Sequence, residues 1–284
     1  MGAKGKPAVP NQGAPVSVFV MTRNEEASIA RCLASVRWSN DVVLLDSHST
    51  DRTTDIAAAF PNVRIIRRTF TNFSDQRNFG LNAVDYRNEW ALVIDADEVV
   101  PEALAAEIRQ VAQAAEARSR DAYLVRRLPC LDGLPLRRNI SAGFWIARLV
   151  RPGSVRYHGL VHERVEVARR MGRLQGYLLH HQFEKGTMGW HRRRLRYARL
   201  EGQERRAGER SGSLKDLVGG DTLKRRALAK ALYKALPHRW LVYLLYSFVA
   251  KAAWLEGRAG LRYAWLEAES DRRCEAYMRK HRRC

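Results

Sequence analysis

From Val16 to Ile108 short β-branched apolar runs alternate with stretches whose apolar residues recur at helical spacing. That alternation predicts β-α units stacked around a mostly parallel sheet. Val16–Met21 reads as the first strand. Glu25–Val36 follows as a helix, with Ile29, Leu33 and Val36 on one face and Asn24 at the N-cap position. Val42–Leu45 is a second strand, and Thr53–Phe60 a helix entered through the polar turn Asp46-Ser47-His48-Ser49-Thr50-Asp51. Val63–Ile66, the helix Asp75–Val84 and the strand Trp90–Ile94 continue the series. The long helix Glu102–Ala117 is started by Pro101 at a first-turn position.

Beyond Asp121 the rhythm changes. Tyr123–Arg126, Trp145–Val150 and Arg164–Val167 read as strands, separated by loops that hold Pro129, Gly133, Pro152 and Gly159. From Thr187 onward the pattern is helical and basic. The chain therefore divides into a disordered leader (1–15), an α/β domain (16–186, with halves 16–120 and 121–186) and a basic helical region (187–284).

Composition adds one constraint. The 284 residues are 46% hydrophobic, as in a globular protein, yet carry a formal net charge of +20 and a pI near 10.4. Such a charge suits nucleic acid, an anionic membrane surface or a phosphorylated acceptor; an arginine-rich compositional bias is the plainer account. Cys32, Cys130, Cys274 and Cys284 form no C-x-x-C pair, which predicts reduced thiols and neither a zinc knuckle nor a disulfide framework. The leader has no apolar run of the secretory kind, so the expected location is cytoplasmic.

The apolar run Trp240–Ala250 is interrupted by Lys251 and resumes as Ala252-Ala253-Trp254-Leu255. A spanning helix needs about 20 apolar residues, so this run predicts contact with the bilayer interface instead. Lys224, Arg225, Arg226, Lys230, Lys234 and Arg239 precede it, and Arg258, Arg262, Arg272 and Arg273 follow. The expected attachment is peripheral, on the inner face of the cytoplasmic membrane. A core helix with a solvated basic face is the competing account. Arg192-Arg193-Arg194, Arg196 and Arg199 suit the phosphates of an acceptor or of lipid headgroups.

In an open α/β sheet, ligands bind at the carboxyl ends of the strands. Three strands here end in polar clusters: Thr22-Arg23-Asn24-Glu25-Glu26, Asp46 through Asp51, and Asp95-Ala96-Asp97-Glu98. Asp95 and Asp97, spaced by two at a strand end, can face one oxygen-ligated divalent metal, Mg or Mn, which leaves positions for diphosphate oxygens. A capped turn or a solvated acidic loop would produce the same spacing.

These clusters, with Gln76-Arg77-Asn78-Phe79, carry a resemblance: Val16 through Ile108 is similar to the donor-binding half of glycosyltransferase family 2, an inverting family with the GT-A fold. Leu160-Val161-His162-Glu163-Arg164-Val165 and Leu178-Leu179-His180 are similar to the branch that includes lipopolysaccharide core β-glucosyltransferases of the WaaE type. The resemblance implies a UDP-sugar donor and a lipid-linked or phosphorylated glycan acceptor, such as the lipopolysaccharide inner core. It places Thr22, Asn24, Glu25 and Asp46 on the nucleotide, and Gln76, Arg77 and Asn78 along the diphosphate and donor sugar. Asp97 would hold the metal, with Asp95 on the ribose or sugar or beside the ion. His180 would be a further metal ligand, with His181, His158 and His162 as alternatives. His48 departs from the family, which usually has a glycine there.

Inversion by direct displacement requires a general base for the acceptor hydroxyl. Glu163 is the candidate and Glu98 its rival; a salt bridge from Glu163 to Arg164 or Arg156 is the non-catalytic account. Two other functions compete with a transferase of this kind. A basic nucleic-acid-binding protein explains the tail but leaves the acidic strand ends unexplained, and no helix-turn-helix, zinc or RNA-sheet signature is apparent. A sugar-nucleotide nucleotidyltransferase wants a glycine-rich, lysine-bearing loop after the first strand, which Thr22–Glu26 is not.

Overall fold

The computed structural model describes residues 15–139, 142, 144–159, 164–206, 233 and 236–281. All but the last residue of the expected leader lie outside them, as do Leu160 to Glu163, Cys284 and the tail cations Lys224, Arg225, Arg226, Lys230 and Lys234.

The apolar runs form the strands they predict. Strands β1 (Val16–Thr22), β2 (Val42–Asp46), β3 (Val63–Arg67) and β4 (Trp90–Asp95) pair in parallel in the order β3-β2-β1-β4. β1, β2 and β4 are covered on both faces, which is why they read as unbroken apolar runs rather than alternating ones. Successive β1 side chains divide between two cores. Val18 and Val20 pack with Ile29 and Leu33 of α1 (Ile29–Ala34) and with Leu104 and Ile108 of α4 (Glu102–Gln113). Phe19 packs on the other face with Val43, Val93 and Leu81 of α3 (Phe73–Asn82). Helix α2 (Thr53–Ala58) links β2 to β3.

Gly80 fixes how closely α3 approaches β1. A Cβ there would lie 2.1 Å from Cζ of Phe19, so only glycine lets the helix seat at this depth.

The second half completes the sheet. After the short β5 (Glu98–Val99) come β6 (Arg120–Leu131), β7 (Leu134–Pro135), β8 (Trp145–Val150), β9 (Val155–His158), β10 (Arg164–Val167) and β11 (Arg170–His180). The main sheet runs β3-β2-β1-β4-β8-β6-β11-β5, with β7 paired to β6, while β9 and β10 form a separate ribbon. β8 is antiparallel to both β4 and β6, and β11 is parallel to β6.

Four readings change. The strand placed at Tyr123–Arg126 extends from Arg120 to Leu131, and the segment from Arg170 to His180, not read as a strand, is an 11-residue member of the sheet. The expected helix Glu102–Ala117 breaks at Ala114 into a 3-10 turn over Ala115–Ser119. Asn24 is not the N-cap of α1: Ser28 takes that place, and Asn24 lies in the left-handed region at φ 54°.

The basic region is helical: α5 (Gly186–Arg206), α6 (Arg239–Val249) and, after a 3-10 turn at Ala253–Glu256, α7 (Gly257–His281). α7 packs on α5 and α6. The guanidinium of Arg194 on α5 reaches Glu267 at 3.0 Å and Asp271 at 3.6 Å on α7. Tyr263 of α7 joins Leu131 and Leu136 in a third apolar cluster, against which Phe183 packs. No helix among the described residues is long and apolar enough to cross a membrane. Cys32, Cys130 and Cys274 are free and buried.

Candidate functional site

The parallel register brings the polar clusters to one edge. Thr22 pairs with Asp46, and Met21 with Asp95, so the tips of β2, β1 and β4 end side by side. With strands about 4.8 Å apart, the outer two of these tips lie within roughly 10 Å of each other.

The first two loops are laced together. The amide of Asn24 donates to Oγ of Ser49 at 2.9 Å, and Thr50 N donates to Oδ1 of Asn24 at 2.8 Å. Glu25 N donates to Oγ1 of Thr53 at 2.7 Å. Asp46, fully buried, accepts the Ser49 amide at 2.9 Å. His48, at φ 55°, makes the left-handed turn that its glycine-type position demands, with Nε2 3.3 Å from Oγ1 of Thr69. The buried hydroxyl of Thr22, at the tip of β1, has no hydrogen-bond partner within the protein.

Asp95 sits among cations. Oδ1 accepts from Arg77 at 3.0 Å and Oδ2 from Arg148 at 2.8 Å, while Arg127 stands 3.8 Å away. Arg148 also donates to Oε1 of Glu98 at 2.7 Å, and Oε2 of Glu98 accepts the Asp95 amide at 3.0 Å. Burial alone would raise the Asp95 carboxyl's pKa, but the guanidiniums of Arg148, Arg77 and Arg127 outweigh it and hold the group ionised far below its ordinary range.

Asp97 faces the other way, toward the end of β11. Its Oδ2 lies 3.3 Å from Nε2 of His180 and 3.4 Å from Nη1 of Arg193, and His181 N donates to its carbonyl at 2.8 Å. Burial works against its charge here too, yet His180 and Arg193 prevail and keep the carboxyl well below its usual pKa. Glu25 differs. Burial raises its carboxyl's pKa, only partly offset by the ammonium of Lys185 at 2.5 Å.

The α3 residues divide by role. Gln76 is buried; its Nε2 donates to the Thr69 carbonyl at 3.0 Å, and its Oε1 accepts from Arg68 at 3.0 Å. Arg77, besides its bond to Asp95, lies over the ring of Tyr157 at 5.5 Å. Asn78 donates to the carbonyl of Tyr157 and accepts from its amide, both at 2.8 Å, so its side chain ties β9 to α3.

The structure thus brings Thr22, Asn24, Glu25, Asp46, Gln76, Arg77, Asp95, Asp97 and His180 to one end of the sheet. Asn78 is turned to β9, and Glu163 lies outside the described residues with His162. Among the described residues no cluster of three or more His, Cys, Asp or Glu side chains is arranged to hold a metal. Asp97 and His180 pair closely, whereas Asp95 is taken up by arginines. That donor set fits Mg or Mn, ions that take one or two carboxylates and complete their shell from phosphate and water, with imidazole also suited to Mn. Arg148, Arg127 and Lys185 were not legible as site residues. Arg127 and Arg148 reach the site through strand pairing and Lys185 from the turn between β11 and α5, and no local spacing marks any of them. An open concavity of about 520 Å³ lined by Val111, Glu116, Arg120 and Tyr123 lies at the opposite end of β6, away from these groups.

A mixed sheet flanked by helices, with acidic strand tips around a cation-lined mouth, defines an α/β protein of the GT-A class. In overall structure the chain is similar to a mannosyltransferase from Pyrobaculum calidifontis, PcManGT, solved with GDP-Man and Mn2+ (TM-score 0.52, 16% identity, 95% of this chain and 88% of that one). The sequence profile of Glycosyl transferase family 2 matches residues 17–163, and the chain belongs to that family. An uncharacterized glycosyltransferase of Rickettsia typhi is 32% identical over 117 residues, 41% of this chain and 38% of that protein. The lipopolysaccharide core biosynthesis glycosyltransferase LpsC of Rhizobium meliloti is 28% identical over 178 residues, 58% of this chain and 63% of LpsC. The chain therefore spans less than two-thirds of the length of these two relatives.

Proposed function

We propose that this protein is an inverting glycosyltransferase that moves a hexosyl group from a UDP-sugar to a lipid-linked or phosphorylated glycan, such as the inner core of lipopolysaccharide. The observation that carries this reading is the meeting of Thr22, Asp46 and the Asp95–Asp97 loop at one sheet edge. Family membership and the likeness to LpsC support it.

In this reading Asn24, Glu25 and Asp46 take the base and ribose, on loops that their mutual hydrogen bonds hold in place before the donor arrives. Thr22, buried at the end of β1, backs this site beside Asp46. Asp97 and His180 would hold Mg or Mn, which when bound neutralises charge on the diphosphate. Arg77 pins Asp95 from α3 while Gln76 shapes the cradle beneath the diphosphate. Asn78 acts at one remove, by fixing Tyr157.

Glu163 is assigned as the base that takes the acceptor proton. Glu98 is ill-suited to that task, because it is fully buried and both of its oxygens are already occupied by Arg148 and the Asp95 amide.

A panel of UDP-sugars with Gram-negative lipid extract and Mn2+ or Mg2+, read by UDP release and product mass, tests the assignment. The expected result is UDP formation that depends on both lipid and metal, with Glu163→Gln retaining donor affinity and losing turnover. Release of pyrophosphate from UTP and a sugar phosphate would instead indicate a nucleotidyltransferase. Salt-sensitive oligonucleotide binding with no affinity for any UDP-sugar would indicate a nucleic-acid-binding protein.

A further inference from the structure

Helix α6 is amphipathic in the inverted sense. Its inward positions Tyr243 and Ser247, four apart, are buried, whereas Leu241, Val242, Leu245, Phe248 and Val249 stand out in solvent. Leu245 and Val249 are 66% and 81% exposed, values that an ordinary surface helix reserves for charged or polar residues. The elements packed beside it expose apolar side chains too. Trp254 and Leu255 protrude from the 3-10 turn, and Leu261 and Trp265 project from α7 one helical turn apart. Scattered apolar residues on a surface need no explanation, but a set this dense on three neighbouring elements does.

Two features identify the occupant. Along this run no acidic side chain interrupts α6, and the cations Lys251 and Arg258 flank its end, with the Lys251 ammonium 6.0 Å above the ring of Tyr246. Exposed aliphatic side chains and tryptophans together with Lys and Arg suit a bilayer surface, where aliphatic groups sit among acyl chains, indoles at the boundary and cations at the phosphates. A net charge of +20 gives the whole chain long-range attraction to an anionic leaflet. The same helices lead back to the strand tips. α7 holds α5 through Arg194, and the preceding residue of α5, Arg193, contacts Asp97.

We infer that the outward face of α6, the Ala253–Glu256 turn and the start of α7 form a docking surface for an anionic lipid bilayer. It lies flat on the membrane without spanning it and presents the strand-tip site to substrates at the surface. The surface stands on its own geometry and does not depend on which sugar or acceptor the site uses.

The test is co-sedimentation of the full chain with vesicles of phosphatidylcholine containing 30 mol% phosphatidylglycerol, against pure phosphatidylcholine, with tryptophan emission followed in parallel. The expected result is binding to the anionic vesicles with a blue shift, weakened by high salt. Leu245→Glu/Val249→Glu should bind at least about tenfold less, since two aliphatic burials are lost. Its melting curve should be unchanged, because neither side chain is buried in the fold. Lys251→Gln/Arg258→Gln should weaken the preference for phosphatidylglycerol without abolishing it, since the rest of the chain stays strongly basic, and should keep the apolar affinity. The proposal is overturned if the wild-type chain stays in the supernatant with anionic vesicles, or if the apolar-face variant sediments like wild type. A concentration-dependent dimer, abolished by Leu245→Glu/Val249→Glu in a protein that ignores vesicles, would assign the face to a second copy and would equally overturn it.

Discussion

His180 Nε2 lies 3.3 Å from Oδ2 of Asp97, although the residues are 83 positions apart, because β11 pairs with β5 and sets His180 opposite Glu98. A strand partnership thus presents an imidazole and a carboxylate to one point. If the pair holds the divalent ion, Asp97→Ala should abolish transfer, and His180→Ala should weaken Mn2+ binding in the presence of UDP by about tenfold or more, as losses around metal sites do. Mn2+ titration followed by electron paramagnetic resonance checks both variants. Unchanged affinity in His180→Ala would remove it from the ion's shell.

Arg148 is the hinge of the neighbouring network. It is buried on β8 and holds Asp95 and Glu98 at once, so replacing it by methionine leaves two carboxylates without their principal counter-charge. Breaking a buried pair in this way costs about 3–5 kcal/mol. Arg148→Met should therefore unfold at markedly lower urea. Arg127→Met removes a side chain that is itself 37% exposed and leaves Arg148 on both carboxylates, so although Glu98 is buried it should cost only about 0–1 kcal/mol. Equal losses in the two variants would show that Arg148 has no special place.

The strands that read most clearly were those covered on both faces, where Val18, Leu44 and Leu92 left no polar position to blur the run. β11 escaped notice because Arg170, Gly172, Arg173, Gln175 and Gly176 interrupt its apolar positions, and register shifts at Arg170/Met171 and Arg173/Tyr177 disturb any period of two. Asn24 looked like a helix cap because its residue type suits either task. Its amide oxygen instead serves Thr50, closing the two donor-side loops on each other. Arg148 offered no sequence signal, since its importance arises only where β8 lies against β4. The left-handed conformation at position 48, by contrast, was signalled by the family resemblance, since the family usually has a glycine there.

That position supports a third prediction. His48 is held at φ 55°, where a side chain with a Cβ is strained by roughly 1 kcal/mol. Glycine would relieve the strain but lose about as much to extra freedom in the unfolded chain. His48→Gly should therefore alter stability by less than about 1 kcal/mol, whereas His48→Val should destabilise by about 1–3 kcal/mol, a β-branched residue being least suited to this region. Urea denaturation of the pair checks the ordering, and a tolerated valine would show that the loop does not need this turn.

Asp41 makes the acid response of the fold testable. The carboxylate is 1% exposed at the foot of β2, accepting from Ser17 Oγ at 2.6 Å, Arg64 Nε at 2.9 Å and Arg87 N at 3.0 Å. Burial raises its pKa, but these bonds exceed that effect and the folded-state value is lowered. A group depressed on folding adds stability above its unfolded pKa of about 3.9 and loses that contribution as pH falls through the lower folded value. Asp41→Asn keeps the shape and removes the titration. Its deficit relative to wild type, about 1–3 kcal/mol near pH 7, should shrink steadily once the pH drops below about 4. Urea midpoints at pH 7, 5, 4 and 3 measure that gap; a gap that stays constant to pH 3 would mean that Asp41 is not an acid-sensitive strut of this sheet.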